Sequence, residues 1–204
     1  MKTLTAFTLS TALATLAAPA LAQEKGDMLL GLGLGWIEPD DGTNFAGVGK
    51  IDADGALSAT VTFEYFLADR VGLELLASTP FKHDLNLDGT EIGDTKHLPP
   101  TLSLQYYFTN DGMITPFVGA GVNYTYFFDE DTSGPLAASS LDLDDSWGYA
   151  LHAGLDYTVS EKSAVRFDVR YIDIETDATV SGVGNLDDVE IDPWVFNVAY
   201  VLKF

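Results

Sequence analysis

From Trp194 to Phe204 the chain alternates bulky apolar residues with small or polar ones, and no other stretch limits its fold so tightly. Strand side chains point alternately to opposite faces. Trp194, Phe196, Val198, Tyr200, Leu202 and Phe204 therefore share one face, and Val195, Asn197, Ala199, Val201 and Lys203 the other. A face so apolar needs lipid or a core to cover it. Aromatics at both ends of such a face are what a transmembrane barrel presents at the two membrane interfaces. The edge of a soluble β-sandwich is the alternative.

The amino end weighs against that alternative. Lys2, the apolar stretch Leu4 to Ala18, and the small-x-small run Ala20, Leu21, Ala22 read as a secretory signal, 1–22, leaving one domain over 23–204. No later segment approaches the roughly 20 apolar residues of a membrane helix, which excludes a helical membrane protein. With no cysteine, disulfide and thiol chemistry are excluded too. The formal charge of −21 makes nucleic acid and anionic surfaces poor partners, yet 12% aromatic and 47% hydrophobic residues argue against disorder. The acids must be segregated.

Alternation predicts eight strands, at 27–37, 56–66, 71–79, 100–108, 116–128, 146–157, 164–174 and 194–204. The connections between them alternate in length. Short turns at 67–70, 109–115 and 158–163 rotate with long loops at 38–55, 80–99, 129–145 and 175–192, and the long loops carry most of the acid. The pattern predicts an all-β, eight-stranded, antiparallel up-and-down transmembrane barrel, with four long extracellular loops and three short periplasmic turns. It places the chain in a bacterial outer membrane, with the acids in the outward-facing cap.

Leu73 to His83, Lys96 to Leu102, Pro116 to Thr125, Asp145 to Gly148, Tyr171 to Ile174 and Ile191 to Val195 closely resemble the OmpW family of outer-membrane proteins. The resemblance covers essentially the whole chain after the signal. It implies an eight-stranded barrel with a narrow apolar channel that passes small hydrophobic molecules and releases them sideways into the membrane. It also implies that the position of Leu76 helps gate the channel. The aromatic partner of that gate aligns with Arg170, so this chain makes the constriction more polar unless Glu74 or another acid neutralises it.

Eight strands enclose only enough space for side chains or one small ligand, which excludes a wide diffusion pore. Glu64, Asp156, Arg166, Asp168 and Lys203 all face inward in the periplasmic half. Buried charges persist when paired, so these five are expected to plug the barrel's lower end. Nearer the outer side, Gly31, Gly33, Gly35, Gly119, Gly121, Gly148 and Ala150 leave room for an apolar solute. Leu76, with Glu74 and Ser78 on its face, is a candidate floor for that pocket or simply fills the lumen. Pro80, Pro99 and Pro100 lack ladder donors and either open a lateral mouth or fix turns.

Asp84, Asn86, Asp88 and Gly89 match the start of a calcium loop, but its closing position is Thr95. A solvated acidic loop is the plainer reading. His83 and His97 are able to approach across the same connection, yet two histidines fall short of a closed metal site. His152 is expected to form hydrogen bonds in the lumen. No nucleophile elbow or grouped triad is present, so no enzyme activity, cofactor or metal is expected. The expected partners are outer-membrane lipids, lipopolysaccharide, small hydrophobic solutes, and the outer-membrane insertion machinery. Trp194, Phe196, Tyr200 and Phe204 mark the terminal strand that this machinery would read. The competing reading is a plugged display barrel, whose acidic loops serve adhesion, phage docking or divalent-cation bridging to lipopolysaccharide.

Overall fold

The computed structural model describes residues 23–40, 42–45, 49–108, 112–182 and 184–204. The expected export signal, 1–22, lies outside them. The strands are β1 (Met28–Glu38), β2 (Thr43–Phe45), β3 (Gly49–Ala53), β4 (Ala56–Ala68), β5 (Val71–Ser78), β6 (Phe81–Leu87), β7 (Thr90–Leu98), β8 (Thr101–Tyr107), β9 (Ile114–Thr132), β10 (Leu141–Leu143), β11 (Ser146–Ser160), β12 (Ser163–Ile172), β13 (Glu175–Val180), β14 (Gly184–Glu190) and β15 (Trp194–Lys203). A 3-10 turn spans Gly134–Leu136.

Eight of these strands close into an antiparallel barrel in the order β1, β4, β5, β8, β9, β11, β12, β15. The pairing of Leu34 with Val198 joins first strand to last. On the outer face Leu32, Leu34, Leu75, Leu104, Val122, Leu151 and Val198 are exposed. Lipid is the solvent that makes such a surface stable, at about 25 cal/mol per Å² of apolar area removed from water. Trp36, Trp147 and Trp194 stand at the outer rim of this band, and Tyr65, Tyr106, Tyr157 and Tyr200 at the inner rim. Trp36 Nε1 donates to Glu38 at 2.7 Å and the Tyr171 hydroxyl to Asp192 at 2.8 Å, so both rings keep their polar ends in water.

The long connections differ from the expected loops: they are largely strands. β2, β3, β6, β7 and the upper half of β9 continue the wall above the barrel, and β10, β13 and β14 form a second small sheet there. The hairpin of β6 and β7 turns at Asp88 and Gly89, whose φ values of 48° and 76° suit a tight type I′ turn. Phe81 and His83 face inward while Lys82 and Asp84 face water, a period-two signal that the high acid content conceals. The candidate calcium segment is thus one arm and the tip of this hairpin, where Asp88 accepts from the Lys50 amide at 2.9 Å. Among the described residues no group of three or more His, Cys, Asp or Glu is placed to hold a metal.

The lumen is layered. Leu29, Phe66, Tyr107, Phe117 and Val201 pack at the periplasmic end, charged side chains lie above them, and Thr60, Thr101, Asn123 and Asn197 form a polar layer. Ile37, Ala56, Phe81, Phe127, Ala150, Ile172, Ile174 and Val195 then close the outer end. The inward glycines leave room that neighbouring strands use. A Cβ at Gly31 would strike Thr62, at Gly119 the His152 ring, and at Gly72 the Glu64 carboxylate. The space expected for a solute inside the barrel is therefore filled by the protein itself.

Candidate functional site: a charged plug beneath an apolar cavity

Arg166 on β12 and Glu74 on β5 belong to strands four places apart in a ring of eight, so they meet across the lumen. Arg166 Nη1 lies 2.9 Å from Glu74 Oε2. The same guanidinium reaches Asp156 at 2.8 Å and Glu64 at 3.4 Å, and donates to the Tyr107 hydroxyl at 2.6 Å. Its carbon stands 4.7 Å from the centre of the Phe117 ring. Arg170 adds a second crossing, 2.7 Å from Glu74 and 3.5 Å from Asp168. His152 Nδ1 completes the layer, 2.9 Å from Asp168 Oδ2. All these groups are buried, where an unpaired charge would be very costly.

Of the residues expected at the lower plug, Glu64, Asp156, Arg166 and Asp168 come together. Lys203 does not join them, because the terminal strand brings it to the periplasmic rim, with its amine 2.6 Å from Asp27. Glu74 and Arg170, expected at the constriction, belong to the charged layer. Leu76 is buried beside Thr62 and Thr101 in register, above Glu74 on its strand. It does not line the cavity described next.

That cavity, of about 120 Å³, lies outside the barrel proper, between the two extracellular sheets. Leu85, Ile92, Phe127, Leu136, Val180 and Leu186 supply apolar wall, and His83, Thr95 and His97 form one polar side. The histidine rings stack at 4.8 Å and 13°. Burial lowers the pKa of both, that of His97 to about 3 with further repulsion from His83. Both are neutral at physiological pH. The sequence brought these histidines to one connection; the cavity beside them went unseen because its walls come from four separate connections.

Below the cavity the barrel wall is interrupted. The ladder of β5 with β8 ends at Leu76 opposite Thr101, and that of β6 with β7 begins at Phe81 opposite His97. Pro80 and Pro99 sit in the interruption. The Thr79 amide donates to Ala59 on β4 at 2.9 Å, so by alternation position 80 would donate toward β8. The Tyr107 amide donates to Arg70 on the β5 side at 3.0 Å, so counting back by twos position 99 would donate toward β5. Proline at both positions deletes the N–H groups that would face across the break. The carbonyls of Pro99 and Pro100 instead accept from Asn123 Nδ2 at 3.1 and 3.2 Å, from inside the barrel.

Comparison with known proteins places this geometry among outer-membrane barrels. The model of the OmpW family matches residues 24–204. Outer membrane protein W of Vibrio cholerae is 38% identical over 201 residues, covering 92% of this chain and 93% of that protein. The crystal structure of OprG from Pseudomonas aeruginosa superposes with a TM-score of 0.81 at 36% identity, over 91% of this chain and 99% of that one. The dibenzothiophene metabolism operon protein PahQ of Pseudomonas aeruginosa is 31% identical over 135 residues, covering 64% of this chain and 63% of its own length.

Proposed function

Because the chain belongs to the OmpW family of outer-membrane barrels, we propose that it passes small apolar molecules from the cell surface into the membrane, without catalysis or cofactor. One observation carries this reading: an apolar cavity stands directly above a break in the wall, while the lumen beneath is crossed by ion pairs. His97 lines the cavity and also forms the first ladder pair above the break. A solute in the cavity is then about one residue from lipid. The charged layer favours this sideways exit, since an apolar molecule gains nothing by displacing paired charges. PahQ is named for the metabolism of an aromatic compound of the same apolar class, larger than this cavity of about 120 Å³ would hold whole.

Lipopolysaccharide gives the conduit its purpose, because its packed sugars and phosphates exclude apolar solutes that cross ordinary lipid readily. The test uses cells with an intact lipopolysaccharide leaflet, exposed to an apolar single-ring fluorophore and to a fluorescent sugar. Native protein should speed uptake of the fluorophore alone, and Ile92→Arg, which puts a charge in the cavity, should abolish the gain. If native protein speeds neither probe over an empty-vector control, the conduit is refuted and the barrel is a plugged display scaffold.

A further inference from the structure

Three polar atoms of residues that line the cavity have no hydrogen-bond partner among the described residues: His83 Nε2, Thr95 Oγ1 and His97 Nε2. Their residues are 2%, 3% and 1% exposed, so bulk water does not serve them. His83 and Thr95 are opposite each other in the hairpin register, and His97 stacks on His83, which places all three on one side of a mainly apolar chamber. Buried polar groups are nearly always paired, so a cluster of orphans in a cavity marks where a ligand's polar atom belongs.

The tautomer of His83 selects the kind of atom. Its Nδ1 lies 2.5 Å from the Asp54 carbonyl oxygen, which can only accept. The ring proton therefore sits on Nδ1, and Nε2, on the side of the ring away from Asp54, keeps a bare lone pair. Thr95 is able to donate or accept. A hydroxyl satisfies both, giving its proton to His83 and accepting from Thr95. A ketone or ether leaves the His83 lone pair unpaired, a carboxylate faces that lone pair with a negative charge, and a pure hydrocarbon pairs with neither.

We propose that His83, Thr95 and His97 form a hydroxyl-binding pole, so that the cavity prefers small hydroxylated hydrocarbons, of phenol size, over plain hydrocarbons. The size follows from the volume. An engineered apolar cavity of about 150 Å³ holds benzene, and about 120 Å³ here suits a single ring with a short polar handle. The inference rests on the reading of this cavity as the conduit's outer station.

The chain has three histidines, so the full protein labelled with 13C-histidine in lipid nanodiscs gives three resolvable reporters. His152, buried beside Asp168 in the barrel, is the internal control. Phenol and toluene differ by one hydroxyl in place of one methyl. Phenol should shift the His83 and His97 signals saturably, with a Kd about tenfold below that of toluene, and leave His152 unmoved. His83→Phe keeps the ring and removes the acceptor, and should bring the two Kd values together. Thr95→Val, a smaller change to the fold, should narrow the gap as well. Equal Kd values in the native protein would overturn the pole while leaving the conduit intact, the orphan atoms then being served by trapped water. If neither compound shifts any histidine, the cavity admits no solute and the conduit reading fails with the pole.

Discussion

Arg166 and Glu74 face each other across the full width of the barrel, with 2.9 Å between Nη1 and Oε2. Because the same guanidinium also holds Asp156 and Glu64, removing it leaves several acids buried together with little compensation. Arg166→Met should cost about 3–5 kcal/mol of stability, the usual penalty for orphaning a buried charge. Urea unfolding of the refolded barrel in micelles measures it. Pairing the change with Asp156→Asn should recover part of the loss, since that orphan is then neutral, whereas Glu74 keeps Arg170. A loss under about 1 kcal/mol would mean that water reaches this layer and the plug is not dry.

The stacked histidines give the extracellular hairpin a pH dependence of definite sign. Burial holds the folded pKa of His97 near 3 and that of His83 below the unfolded value of 6.5, against the pull of the Asp54 carbonyl and of the Asp84 and Asp54 charges. The unfolded hairpin thus takes up protons more readily than the folded one. The stability that neutral histidines provide is complete above about pH 6.5 and declines as pH falls toward about 3. Amide exchange in β6 and β7 should quicken at pH 5 relative to pH 7 after correction for intrinsic rates, with β1 and β15 unchanged. Equal protection at both pH values would contradict this.

The barrel itself was legible in the sequence because lipid on one side and a packed lumen on the other impose a strict period of two, as in Leu32, Leu34 and Trp36 against Gly33 and Gly35. Pairing of Glu64 and Asp156 with Arg166 was legible too, from inward position and opposite sign. β6 and β7 were hidden by Pro80, Pro99 and Pro100, which cut them off from β5 and β8, and all the extracellular strands by acids that mimic a solvated loop. Asp88 followed by Gly89 was the available signal for the hairpin. The purpose of the inward glycines was misread, since a missing Cβ looks alike whether a solute or a neighbour's side chain fills it. Only the packing of Thr62 against Gly31 and of His152 against Gly119 decides the matter.

The two prolines at the wall break give the lateral exit a direct test. Pro80→Val with Pro99→Val restores the two N–H groups that would face across the break, and β-branched residues suit a strand. If the exit lies there, the double variant should slow uptake of an apolar probe severalfold, with barrel stability equal or higher. Asn123→Ala acts in the opposite sense. It strips the inward hydrogen bonds from the Pro99 and Pro100 carbonyls, and should cost about 1–3 kcal/mol while leaving uptake no slower. Unchanged uptake in the double variant would place the exit elsewhere.

Two residues of β15 and its end allow stability and delivery to the membrane to be tested separately. Val198 faces lipid midway along β15, opposite Leu34 on one side and Phe167 on the other. Val198→Arg should therefore cost about 2–4 kcal/mol in the refolded protein, as a cation near the bilayer midplane does. Phe204 is different: its amide donates to Met28 at 3.0 Å, but its ring is 65% exposed beyond the last ladder pair. Phe204→Ala keeps the backbone bond and removes a ring at the membrane edge, so refolded stability should fall by about 1 kcal/mol, less than for Val198→Arg. If the insertion machinery reads the aromatic end, the amount of barrel in the outer membrane of cells should nevertheless fall severalfold, as followed by heat-modifiable migration on gels. Equal amounts of native and Phe204→Ala protein in the membrane would leave the ring no part in assembly, and the apolar face from Trp194 to Leu202 would then be recognised without it.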